Sequence, residues 1–306
     1  MAVAELPLEP MQSEEIESPY KIVARRFVRH KLALVGLFII FIFILIAVFA
    51  DVIMPNNPLA QNLAPQWANP SPNLPMGTDQ LGRDVFSRLI FAARISLFVT
   101  ITVNLFTEVF GTIVGAISGY YGGIVDNAIQ RFVEVILTLP QLPLLLFFSA
   151  ILRGIEVPGL ERHWSSAIII IVILSLLGWT TATLLVRGMV LSLREQEFTH
   201  ASRSLGMGNW DIIRRHMIPN ALSPVIVNAT LGLGGVIVLE AALSFLGFGI
   251  QPPIPTWGNM LQEVQQRIFL NPWLAFYPGI CIFLLSLSFN YVGDALRDAL
   301  DPRLKR

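Results

Sequence analysis

The sequence predicts an all-α membrane protein with six transmembrane helices, and three observations carry the prediction. Of 306 residues, 54% are hydrophobic and only 14% charged, with a mean hydropathy of +0.64; soluble globular domains carry about 25% charged residues. Six apolar segments reach spanning length. The lysines and arginines fall unevenly among the connecting segments, which sets orientation. The net charge of 0 gives no basic bias toward nucleic acid, and the single cysteine, Cys281, cannot form a disulfide within the chain. The first 30 residues turn from acidic to basic, the reverse of a cleavable signal peptide, so the first span is expected to stay in the mature protein.

The elements follow in order. Residues 1–30 read as an N-terminal tail. Leu32 to Ala50 is 19 residues without a charge, enough at about 1.5 Å per residue to cross a hydrocarbon core of roughly 30 Å. After Gly82-Arg83-Asp84, the residues Val85, Leu89 and Ala92 recur at helical spacing, which predicts a surface helix on the outer face before the second span; 31–93 is therefore one unit. The further spans are expected at about 95–119, 126–152, 165–187, 223–249 and 272–293. Pro252, Pro253 and Pro255 forbid a regular helix and predict an outer loop between the last two. Residues 295–306 form a C-terminal tail.

Six spans put both termini on one side. Fifteen lysines and arginines lie in or beside the tails and the even-numbered connections, against six (Arg83, Arg88, Arg94, Arg153, Arg162, Arg267) on the other side. By the positive-inside rule both termini and the 191–222 loop are cytoplasmic.

That loop holds the least membrane-like stretch of the chain, "EFTHASRSLGMGNWDIIRRHMIPN" at 197–220. Phe198, Ala201 and Leu205 share one helical face, and Trp210, Ile213 and Met217 repeat the spacing, so two short amphipathic helices are expected. Gly206 supplies a left-handed turn between them. Pro219 is expected to stop the second helix, and Ser223-Pro224 to cap the fifth span.

These residues resemble the EAA loop of ABC importer permeases, in which a glycine stands three residues after Glu-Ala-Ala and a proline thirteen residues further on. Here His200, Ala201 and Ser202 hold the first three places, with Gly206 and Pro219 at the right spacing. A literal Glu-Ala-Ala at Glu240 to Ala242 lies inside a span and lacks that spacing. "GTDQLGRDVFSRLIFAARISL" at 77–97, "EAALSFLGFGIQPPIPTWGNML" at 240–261 and "GDALRDALDPR" at 293–303 narrow the resemblance to the C-type permease of dipeptide and oligopeptide importers.

The resemblance implies a type I ABC importer transmembrane domain over 94–294, in a prokaryotic plasma (inner) membrane. The partners it implies are a homologous B-type permease, two ABC ATPase subunits and an extracytoplasmic substrate-binding protein, with a peptide as substrate. ATP and magnesium would be bound by the ATPases, and no cofactor by this chain. Glu197, Phe198, His200, Ala201, Ser202, Leu205, Gly206, Met207 and Pro219 become the expected ATPase-docking residues. Nickel chelates, glutathione or oligosaccharides are alternative solutes of the same architecture. An ion-coupled secondary transporter is the rival from another class, and the inverted repeat that would favour it is not evident.

No Gly-x4-Gly-Lys-Ser/Thr phosphate loop is present, so ATP hydrolysis is expected elsewhere. All four histidines lie outside the expected spans and no aspartate lies deep within one, which argues against an intramembrane protease and a metal site, and so against an enzyme. Glu108, Glu134 and Glu240 fall inside or near the ends of spans, where a charge is costly unless paired or wet. Interhelical bonding is the general expectation for them; Glu240, after the Gly232-Leu233-Gly234-Gly235 run, is the pathway candidate.

Overall fold

The computed structural model describes residues 19–159 and 162–301. Residues 302–306 of the expected C-terminal tail and residues 1–18 of the N-terminal one lie outside this range. The described remainder of the N-terminal tail is helical: α1, Pro19–Arg29, leads into α2, Lys31–Val48, with the one-turn α3, Ala50–Ile53, continuing it. Then come α4 (Val85–Tyr121), α5 (Gly123–Thr138), α6 (Gln141–Leu152), α7 (Arg162–Gly178), α8 (Thr180–Leu193) and α9 (Glu197–Ser204). A four-residue α10 (Asn209–Ile212) and a π-helical turn (Ile213–Met217) feed α11 (Ile218–Phe245), followed by α12 (Trp257–Val264) and α13 (Pro272–Leu300).

Among the described residues only isolated bridges occur in place of strands. Five helical stretches are long and apolar enough to span a membrane, and α5 with α6 makes a sixth if that pair, bent by 90°, counts as one.

Three boundaries differ from the sequence reading. The surface helix before the second span is not separate: α4 runs unbroken from Val85 for 37 residues, about 55 Å at the usual rise. No glycine or proline interrupts Val85 to Ser96, and Asp84 caps the start by accepting from the Phe86 N–H at 3.1 Å. The third span is broken at Leu139-Pro140, because the residue before a proline leaves helical geometry and Pro140 cannot donate to the preceding turn.

The third difference concerns Pro219, which does not stop a helix. It sits in the first turn of α11, where a missing N–H costs nothing, and the wider π turn just before it carries the chain through from Asn209 to Phe245. Pro224 likewise lies inside α11 rather than at its start.

The tightest packing joins α4 to α8 through a stripe of glycines. A Cβ on Gly111 would stand 2.5 Å from the Trp179 carbonyl oxygen, on Gly115 2.5 Å from that of Thr183, and on Gly119 2.9 Å from that of Arg187. Only hydrogen fits at these positions. Backbones in apolar surroundings associate through such small-residue stripes because contact, not water exclusion, drives them together. The Thr183 hydroxyl donates to the Gly111 carbonyl at 3.1 Å across the same seam.

Candidate functional site

The polar loop sits at the Tyr121 end of α4. Helix α9 ends in a Schellman motif: the Gly206 N–H donates to Arg203 O at 2.9 Å and the Met207 N–H to Ser202 O at 3.1 Å, with Gly206 at φ +79°. The left-handed residue lets both donors reach back over the last turn. After the turn, Ile212, Ile213 and Met217 are fully buried against Ala116, Tyr120, Val186 and Val190 of α4 and α8. The loop is thus an extension of the bundle.

Polar contacts fix its position. Tyr120 donates to Asn209 Oδ1 at 3.0 Å, while Arg203 donates to the Tyr120 oxygen at 3.4 Å and lies over its ring at 5.1 Å. Arg194 donates to the Gly119 carbonyl at 3.1 Å. Arg187 grips Asp126 with two bonds of 2.6 and 2.7 Å, and Ser118 donates to the same carboxylate. The Asp126 carboxylate is thereby tied to α4 through Ser118 and to α8 through Arg187.

Of the expected docking residues, 197–207 form one compact motif. Glu197, His200, Ala201, Leu205 and Gly206 are exposed, Leu205 to 86%. The apolar stripe is split, however. Phe198 and Met207 are half-buried against the bundle and Ser202 is buried, whereas Leu205, at the helix end, stands in the open. Pro219 is exposed but belongs to α11, separated from the motif by the π turn.

Glu240 is not with them and faces no open surface. It is completely buried between α4 and α11, taking hydrogen bonds from Ser244 at 2.8 Å and Ser96 at 3.4 Å. Its placement is that of an interhelical bond rather than a lining residue, since hydroxyls on both helices satisfy it. Glu134, expected near the end of a span, is exposed and pairs with Arg131 at 3.0 Å. Glu108 is buried, with Asn228 donating to Oε1 at 2.6 Å.

At the opposite end of α4, sequence reasoning missed a buried four-charge cluster. Arg83 donates to Asp79 at 2.6 Å and to both Glu263 oxygens at 3.0 Å, and Arg88 donates to Glu263 at 2.9 and 3.0 Å. All four side chains are less than a tenth exposed. The cluster pins the 77–88 segment to α12, whose start carries a Thr256–Asn259 capping box. Asp79 and Arg83 at i, i+4 were a readable signal; their partner 180 residues away was not.

This arrangement of long apolar helices, a rigid polar loop at one end and a locked loop layer at the other has the fold of an ABC transporter membrane component. The solved structure titled "Inward facing conformations of the MetNI methionine ABC transporter" matches 71% of this chain and 98% of its own, with a TM-score of 0.50 at 21% identity. The chain belongs to the binding-protein-dependent transport system inner membrane component family, whose model matches residues 111–306.

A second model, the N-terminal TM domain of oligopeptide transport permease C, matches 18–75. Family pattern therefore begins at residue 18, well before Gly77, and includes α1. Among its relatives, the dipeptide transport system permease protein DppC of Alkalihalophilus pseudofirmus is 42% identical over 94% of this chain and 91% of its own length. The oligopeptide transport system permease protein OppC of Bacillus subtilis is 35% identical over 96% and 93%. The glutathione transport system permease protein GsiD of Pectobacterium atrosepticum is 34% identical over 99% and 97%.

Proposed function

We propose that this chain forms half of the translocation pore of an ABC importer for di- and oligopeptides and couples it to ATPases through 197–207. One observation carries the coupling role. Leu205 is 86% exposed at the tip of a turn whose flanks are rigidly bonded to the bundle. An apolar tip standing in water on a fixed support gains roughly 1.5–3 kcal/mol by entering a groove.

The partners are a homologous B-type permease, two ATPases that bind ATP and magnesium, and an extracytoplasmic binding protein. Both termini and the 191–222 loop face the cytoplasm of a prokaryotic cell. The charge asymmetry supports that orientation. Cysteines placed at Asn69 and Asn209 should accordingly be labelled from opposite faces; labelling of both from outside would refute it.

The peptide assignment is supported by the dipeptide and oligopeptide relatives. The glutathione relative, matched over 99% of this chain, favours a second reading in which the cargo is glutathione. Mass spectrometry of the ligand carried by the associated binding protein separates them. Mixed short peptides support the first reading, glutathione alone the second, and a metal chelate or sugar contradicts both.

A further inference from the structure

At the end of the bundle opposite the polar loop, a cavity of about 320 Å³ opens between the C-terminal end of α6, the first turns of α7 and the loop after α11. Its size lies within the roughly 300–1,000 Å³ of small-ligand sites. In the orientation proposed above this is the extracytoplasmic side. Ile170 and Ser149, 2% and 4% exposed, close the cavity at depth, whereas Arg153, Pro252 and Pro253 stand exposed at its mouth. It is therefore both roomy and open to solvent.

Two polar groups of the lining are uncommitted. The Ser149 hydroxyl is buried without a hydrogen-bond partner, although a helical serine can bond the carbonyl four residues back. Native structures leave few such atoms without a role. Arg153, four residues on and so on the same face of α6, meets one partner among the described residues: it donates to Gln251 Oε1 at 3.1 Å. Gln251 is itself fixed, its Nε2 donating to the Gly247 and Gly249 carbonyls at 3.2 and 2.8 Å and its backbone N–H to Ser166 Oγ at 3.1 Å. The guanidinium is thus held by a bonded loop, and no carboxylate among the described residues neutralises it.

The remaining walls are mainly apolar, with Ile169, Ile170 and Phe248 among them. A guanidinium and a hydroxyl donor beside an apolar recess match a carboxylate attached to a large apolar side chain. The space is too small to enclose the two acyl chains of a phospholipid, the other amphiphilic anion at hand. We propose that this cavity receives the carboxy-terminal residue of the incoming peptide, its carboxylate between Arg153 and Ser149 and its side chain against Ile169, Ile170 and Phe248. This rests on the peptide-importer reading above, and it gives the permease a preference of its own for peptides ending in a large apolar residue.

The test uses the full complex with its binding protein and ATPases in proteoliposomes, with radiolabelled alanyl-alanyl-phenylalanine as the probe. At limiting loaded binding protein, uptake should fall about tenfold or more in Arg153→Gln and about three- to tenfold in Ser149→Ala. Subunit composition, binding-protein affinity and basal ATP hydrolysis should be unchanged. Wild-type uptake by either variant overturns the proposal, as does a matching loss of binding-protein affinity, which would make Arg153 a docking residue. Ser149 has no bond to lose, so its variant should fold as wild type. Independently of both variants, the wild-type complex is irradiated during turnover with a tripeptide carrying a photoreactive carboxy-terminal residue. Label at 149–155, 166–170 or 248–253 supports the site, and label confined to other segments overturns it. A phospholipid retained by the purified wild-type complex and lost from Arg153→Gln would assign the cavity to lipid and likewise overturn it. If the wild-type complex does not import the tripeptide at all, the peptide reading falls and this inference with it; failure of the variant predictions alone leaves that reading standing.

Discussion

Tyr120 and Asn209 are joined by a hydrogen bond of 3.0 Å that ties the last turn of α4 to the first residue of the helix after the Gly206 turn. The bond makes the longest buried helix of the bundle and the exposed loop one mechanical unit. Tyr120→Phe keeps the ring under Arg203 and removes only the hydroxyl. A hydrogen bond of this kind contributes about 0.5–1.5 kcal/mol, so ATPase subunits should be retained while peptide imported per ATP falls about two- to tenfold. The check is parallel measurement of uptake and phosphate release in proteoliposomes; unchanged stoichiometry would remove the bond from the coupling route.

Packing between α4 and α8 gives the second prediction. A methyl group at Gly115 would press on the Thr183 carbonyl, whereas one at Gly188 meets nothing within 4 Å. Gly115→Ala should destabilise the permease by about 1–3 kcal/mol, and Gly188→Ala should be neutral or stabilise by up to about 1 kcal/mol through helix propensity. Thermal unfolding of the two variants in detergent compares them directly, and equal shifts would show that the glycine stripe is not the seam.

The buried charge cluster supplies the third. Glu263→Ala leaves Arg83 and Arg88 with only Asp79 as counter-charge in a site shielded from water. Breaking one partner of such a cluster costs about 3–5 kcal/mol because the remaining charge stays buried. The expected result is a large loss of thermal stability with protease cleavage appearing between residues 54 and 84. Survival of that segment in limited proteolysis would mean that its backbone bonds suffice.

How far the sequence reached follows from the range of each signal. The Gly206 turn was legible because Leu-Gly-Met-Gly between two amphipathic runs states a local backbone need, and the structure places a Schellman motif there. Pro219 was misread because a proline marks a helix start as readily as a stop; the π turn that settles it depends on Ile213 and Met217 being drawn into the bundle. Leu139-Pro140 was passed over as one oily run, since composition reports burial but not direction. Gly111, Gly115 and Gly119 were visible at four-residue spacing, yet their partner helix was not. Glu240 and Glu108 look alike as letters. Only the placement of Ser96, Ser244 and Asn228 around them separates a satisfied carboxylate from an unsatisfied one.

The most direct test of the coupling role is ATPase retention by the purified complex when Leu205→Asp or Gly206→Val is introduced. The aspartate removes the apolar gain and adds a desolvation cost, and the valine opposes a backbone held at φ +79°. Both positions are exposed with open space around Gly206, so the permease pair should still assemble. The account predicts that each variant co-purifies with at least about tenfold less ATPase, or hydrolyses ATP without uptake. Wild-type retention and coupling in both would contradict it and leave 197–207 a surface linker.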